Sequence, residues 1–249
     1  MKHALAVLMV FCVMGTLAAQ HIAVSPGRER ILELRRSPYA QVRVVEEDGV
    51  RSLYLGSRLQ SSWEVARPDD IAFLYVKLMG AALTAWPGME KGLPARVLLI
   101  GLGGGGTLDM LSHGNFKQIE VAELEHEVVK ASRFMFGTRP HPLDKPNVKL
   151  RVDDGRNALL RHSRANPHTY DIVVSQPSHP WLSGASNLYT LEHFKIVRKN
   201  LRPGGMLCQW VNLFRMNEEG FRSLMAAFVG AFPDGHVFQE IGRALCRER

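Results

Sequence analysis

The sequence predicts an α/β fold in which a parallel sheet carries helices on both faces and follows a small N-terminal β-hairpin region. Three observations predict it. An apolar run, residues 97–100, passes directly into a glycine loop; short apolar runs alternate with amphipathic stretches from there to residue 232; and a period-2 pattern around a turn signal lies upstream. Alternation of this kind specifies parallel strands joined by crossover helices. With 249 residues and 46% hydrophobic content, the chain can bury one sizeable core. We divide it into a leading segment (1–19), the hairpin region (20–68) and one main domain (69–249).

At the N-terminus, Lys2 and His3 precede an uncharged stretch, residues 4–19, that ends in Thr-Leu-Ala-Ala-Gln. Small residues there fit the cleavage site of a secretory signal peptide. The stretch is shorter than the about 20 residues of a membrane span. If retained as an anchor, Arg28, Arg30, Arg35 and Arg36 would hold the following chain on the cytoplasmic side. The expectation is therefore export through a signal peptide or membrane association through an anchor facing the cytoplasm. Downstream, Tyr39, Val42 and Val44 alternate, Glu46-Glu47-Asp48-Gly49 turns, and Ser52-Leu-Tyr-Leu55 resumes, the pattern of a β-hairpin. Asp69 and Asp70 can cap a helix reaching about Trp86, with Ile71, Leu74, Leu78 and Ala82 on one face and Pro87-Gly88 as its stop.

Val97, Leu98, Leu99 and Ile100 form the continuous apolar run of a strand covered on both faces. Gly101, Gly103 and Gly106 then match G-x-G-x-x-G, where glycine reaches positive φ cheaply and lets a ligand approach the backbone. About twenty residues on, the next strand (119–122) ends in Glu123, a carboxylate able to accept from both ribose hydroxyls. Strand, loop, helix, strand and terminal acid together predict a Rossmann-like, nucleoside-binding domain. The alternation continues with helices at 107–112, 126–134, 156–161, 188–200 and 218–232 and strands at 148–152, 171–174 and 205–210. Ligands of such sheets bind beyond the carboxyl ends of the strands. Asp153-Asp154-Gly155 ends the third strand, where Asp154 either accepts from an exocyclic amino group such as adenine's or caps the next helix. The fourth strand runs into Ser175-Gln-Pro-Ser-His-Pro-Trp181, whose prolines force an extended loop over the pocket mouth; Trp181 either lines that pocket or packs.

The net charge of +7 is spread along the chain with no aromatic-basic RNA motif, so nucleic acid is excluded as a partner. His113, His126, His141, His162 and His168 fall at irregular intervals, and no metal-ligand spacing occurs. Cys208, within an apolar run, reads as a buried thiol.

The order of these motifs resembles the spermidine and spermine synthases. The likeness covers the hairpin ending in Gln60-Ser-Ser62, Ile100-Gly-Leu-Gly-Gly-Gly-Gly-Thr107, Glu123-Leu-Glu125, Asp154-Gly155, Tyr170-Asp-Ile-Val-Val174, Asn187-Leu-Tyr-Thr190 and Leu201-Arg-Pro-Gly-Gly205. The proline loop most resembles synthase-like domains fused to bacterial transporter-like segments. The resemblance implies a methyltransferase-type Rossmann fold and a site for decarboxylated S-adenosylmethionine, or S-adenosylmethionine itself, without metal. Gln60, Gly101, Gly103, Gly104, Gly106, Glu123 and Asp154 would hold that co-substrate, and a polyamine would be the acceptor. A homo-oligomer is compatible with it. The chain departs from the family at several acids. The catalytic aspartate is Gln176, the glycine-loop aspartate is Gly104, the second acid of the proline loop is His179, and Tyr-His-Glu on the preceding helix reads Tyr75-Val76-Lys77. An amide takes no proton at neutral pH; Glu125 or Asp153 could supply charge, and His179 either serves as a general base or packs the loop. Three functions stay open: an aminopropyltransferase with an altered acceptor site, an S-adenosylmethionine-dependent methyltransferase, and a nucleoside-binding pseudoenzyme or membrane-associated sensor.

Overall fold

The computed structural model describes residues 5–12, 29–67, 74–177, 184–213 and 216–241. Strand β1 (Leu5–Cys12) is followed by a four-stranded antiparallel sheet, β2 (Arg30–Arg36), β3 (Gln41–Glu47), β4 (Val50–Leu55) and β5 (Arg58–Glu64), in sequence order. The expected hairpin is β3–β4. Its turn residues Asp48 and Gly49 have φ of 47° and 77°, two successive left-handed positions that match the twist of the flanking strands. Strand β2 carries no clean alternation because it is an edge strand, with Ile31 and Leu34 exposed among its charges.

The main domain runs through α1 (Leu74–Leu83), α2 (Pro87–Glu90), β6 (Ala95–Ile100), α3 (Gly106–Ser112), β7 (Phe116–Glu123), α4 (His126–Phe136), β8 (Val148–Val152), α5 (Gly155–Ala165), β9 (Tyr170–Ser175), α6 (Leu191–Asn200), β10 (Leu201–Asn212), α7 (Glu218–Ala231) and β11 (His236–Ile241). Its sheet has the order β11-β1-β10-β9-β6-β7-β8 with every neighbouring pair parallel. This is the Rossmann-like, methyltransferase-type sheet expected, with helices on both faces. One face packs Leu98, Val173 and Leu207 against Phe194 of α6 and Phe228 of α7. The other packs Val97, Leu99 and Val174 against Met79 of α1 and Leu108 and Leu111 of α3. Cys208 is the buried thiol anticipated, its pKa pushed up to about 12 by burial. The small sheet sits on α4 through Val42, Val44, Leu53 and Trp63, which meet Val128, Ala131, Met135 and Phe136.

One strand was not anticipated, and two helix boundaries differ from expectation. Residues 5–12, part of the stretch read as a signal peptide or anchor, form β1, hydrogen-bonded between β10 and β11. A short uninterrupted apolar run meets the needs of a fully covered parallel strand as well as those of a targeting segment, and periodicity does not separate the two. The rest of that stretch lies outside the described residues, within which no helix is long and apolar enough to cross a membrane. The helix expected to reach Trp86 ends at Leu83, and Pro87 opens α2 instead of stopping a helix. A first helical position needs no N–H, so proline suits it. The Asp69-Asp70 cap lies outside the described residues. The helix expected from 188 begins at Leu191, because the Thr190 hydroxyl caps it by accepting from His193 N at 3.2 Å, after a separate 3-10 turn at Ala185–Tyr189.

Candidate active site

The carboxyl ends of β6, β7, β8, β9 and β10 open into one cavity of about 920 Å3, roofed on one side by β5 and α1. At its centre the loop after β6 turns through Gly101, Gly103 and Gly105, with φ of 90°, 54° and 94°. Gly101 and Gly103 are thus required by the turn, and so is Gly105, which the G-x-G-x-x-G pattern passes over. Gly106 is the first residue of α3. Gly104 serves packing: a Cβ there would lie 2.5 Å from Ser61 Cβ and 3.2 Å from the Trp63 ring, while its N–H donates to Ser61 Oγ at 2.9 Å. Strand β5 therefore fills the space that an aspartate at this loop position would need. Gln60, on the same strand, lines the cavity.

Glu123 is buried at the end of β7 and takes three backbone donors: Leu102 N to Oε2 at 2.7 Å, Glu125 N to Oε1 at 3.0 Å, and Gly103 N. Burial raises its pKa above 4.5, against the pull of these hydrogen bonds. An ionised carboxylate offers about four acceptor positions, so the three N–H donors leave about one position for a ligand hydroxyl. Asp154 takes the capping role, Oδ1 accepting from Asn157 N at 2.8 Å at the start of α5, and the residue also lines the cavity. Asp153 is instead paired with Arg161 and is not among the lining residues. Glu125 also lines the cavity and is buried, with Oε2 lacking a partner; the sequence offered it within the Glu123-Leu-Glu125 segment.

On the opposite side, Gln176 follows β9. Its Oε1 accepts from Thr107 Oγ1 at 2.5 Å and its Nε2 donates to the Gly101 carbonyl at 3.0 Å. The amide is thereby a tether between β9 and both ends of the glycine loop, which its sequence position alone did not reveal. Thr107 has one hydroxyl proton, spent on Gln176, so Tyr75, also hydrogen-bonded to Thr107, is the donor in that pair; burial pushes the Tyr75 hydroxyl up to about 12. The Tyr75 ring stacks on Trp210 at 4.5 Å and 26°. His179 and Trp181 lie outside the described residues. Among the described residues no group of three His, Cys, Asp or Glu is placed to hold a metal ion.

The family model for the spermine/spermidine synthase domain matches residues 77–239. The chain belongs to that family. A polyamine aminopropyltransferase of Pyrobaculum arsenaticum is 30% identical over 208 residues, 82% of this chain and 68% of that protein. Spermidine synthase 1 of Datura stramonium is 30% identical over 181 residues, 72% of this chain and 54% of its own length. Among solved structures, a spermidine synthase in complex with the transition state analogue AdoDATO aligns with a TM-score of 0.58 at 19% identity, over 70% of this chain and 55% of that one, a likeness of fold. The chain thus spans between about half and two thirds of the length of these relatives.

Proposed function

We propose that the chain is a spermidine synthase-like transferase that binds decarboxylated S-adenosylmethionine and passes its aminopropyl group to an amine held in an altered acceptor site. One observation carries this reading: the glycine loop, Glu123 and Asp154, from three different strand ends, line a single cavity. In it Glu123 accepts from a ribose hydroxyl and Asp154 from the adenine amino group. Charge favours the decarboxylated form. Of the described lining residues Glu123, Glu125 and Asp154 are acidic and Arg58 is basic, a balance that suits a ligand bearing a sulfonium and an ammonium and opposes the carboxylate of S-adenosylmethionine. In the transfer, the amine lone pair forms a C–N bond at the methylene carbon beside sulfur. The C–S bond breaks, its electron pair stays on sulfur to leave methylthioadenosine, and the amine proton departs. Gln176 cannot take that proton, and both of its polar atoms are already engaged, so turnover of a diamine is slow.

The same tether favours a second reading, nucleoside binding without turnover. Calorimetric titration with methylthioadenosine, decarboxylated S-adenosylmethionine and S-adenosylmethionine tests the site, and no affinity for any of the three refutes it. An assay of methylthioadenosine release in the presence of putrescine then separates the transferase from the binding protein.

A further inference from the structure

The order of the sheet divides the cavity by charge. Strands β7 and β8 supply Glu123, Glu125 and Asp154 on one side of the glycine loop, and β9 and β10, with α1, form the other side. No described residue lining that second side is charged: its walls are the buried Val76, Pro177 and Leu188 and the stacked Tyr75 and Trp210, and its amides are Gln176 and Asn212. We propose that this half of the cavity takes a primary monoamine with an uncharged, apolar tail, and discriminates against diamines. The proposal rests on the aminopropyl-transfer reading and names its acceptor.

The attacking nitrogen of any acceptor must shed its proton to expose a lone pair, and in a monoamine no other charge remains. A diamine keeps a second ammonium, which would leave water for a wall without a carboxylate, and an unpaired buried cation is heavily penalised. The aromatic pair does not replace the missing acid. A cage for an ammonium needs ring faces that converge on it. Tyr75 and Trp210 are stacked on each other, so their remaining faces point apart, while their edges and the aliphatic walls offer an apolar slot. The new bond forms and breaks as in the reading above: C–N replaces C–S, the electron pair returns to sulfur, and the proton of the product ammonium passes to water at the open mouth.

The test compares hexylamine and phenethylamine with putrescine and cadaverine at saturating decarboxylated S-adenosylmethionine. Methylthioadenosine release gives kcat/KM, and the aminopropylated amine is identified by mass. In parallel, each amine is titrated calorimetrically into protein loaded with methylthioadenosine, so that discrimination is read as binding even where chemistry is slow. The expected result is a preference for the monoamines of roughly tenfold or more, equivalent to about 1.4 kcal/mol. Asn212→Asp, nearly isosteric, places a carboxylate in the slot and should move the ratio towards putrescine by a similar factor, with thermal melting confirming the fold. Equal or better binding and turnover of diamines overturns the proposal. Loading with methylthioadenosine but binding of no amine at all also overturns it. Failure to bind methylthioadenosine would remove the transfer reading itself.

Discussion

Replacing Glu123 by glutamine tests the nucleoside site and the loop at once. The carboxylate holds Leu102 N and Glu125 N, one on each oxygen, with Gly103 N as a third donor. A glutamine has a single carbonyl oxygen, so its NH2 faces one of these N–H groups and leaves that donor buried without an acceptor, at about 1–3 kcal/mol. An opposing effect limits the loss. Burial raises the Glu123 pKa above its unfolded value of 4.5, so the ionised group carries a cost that is present above the raised pKa and absent below 4.5; the neutral amide is spared it. We therefore expect a modest fall in melting temperature, at about 2–4 °C for each kcal/mol in a chain of this size. Affinity should suffer more. A hydrogen bond from a ribose hydroxyl to an ionised acceptor contributes about 1.5–3 kcal/mol, so methylthioadenosine should bind roughly tenfold to 150-fold more weakly. For the wild type, the same carboxylate must be ionised to bind best, so affinity should fall on acidification from a pH above the ordinary carboxylate range. Calorimetry of both proteins across pH checks this. A folded Glu123→Gln variant that binds within twofold of wild type would refute the assignment of Glu123 to the ribose.

Gly104→Asp should lower the melting temperature, because Ser61 and Trp63 occupy its Cβ position and overpacking costs about 1–3 kcal/mol; adding Ser61→Gly should recover part of the loss, and additive losses would argue against the contact. Gln176→Glu keeps the bond from Thr107 but sets an oxygen against the Gly101 carbonyl, so it should melt lower yet raise residual putrescine turnover, since positioned proton transfer contributes about 10²–10⁴-fold. Wild-type putrescine turnover of about 1 s⁻¹ or more would instead place the base elsewhere, with His179 the first candidate. His193 is buried with neither ring nitrogen paired, and burial holds its pKa at about 3 against 6.5. The unfolded chain takes up that proton first, so stability should fall as pH drops below 6.5, and His193→Leu should flatten the change in urea midpoint between about pH 7 and pH 4.5.

Features written in neighbouring residues were legible in the sequence. The Asp48-Gly49 turn, the apolar run of β6 entering glycines, the acid closing β7 and the Asp154 cap each depend on φ preferences and hydrogen bonds within a few positions. Repetition of strand and helix then determined the parallel sheet, because an amphipathic helix following each strand has no other face to cover. What stayed hidden joins distant residues. Thr107 and Gln176 meet across 69 positions, and Gly104 and Ser61 across 43, so neither the tethered amide nor the filled space beside the loop leaves a local pattern. Asp153 and Asp154 look alike as neighbours, and packing alone separates them, turning one to Arg161 and the other into the cavity. Residues 5–12 belong to the same class: their apolarity suits either a targeting segment or a covered strand, and their pairing between β10 and β11 joins positions that no local pattern connects.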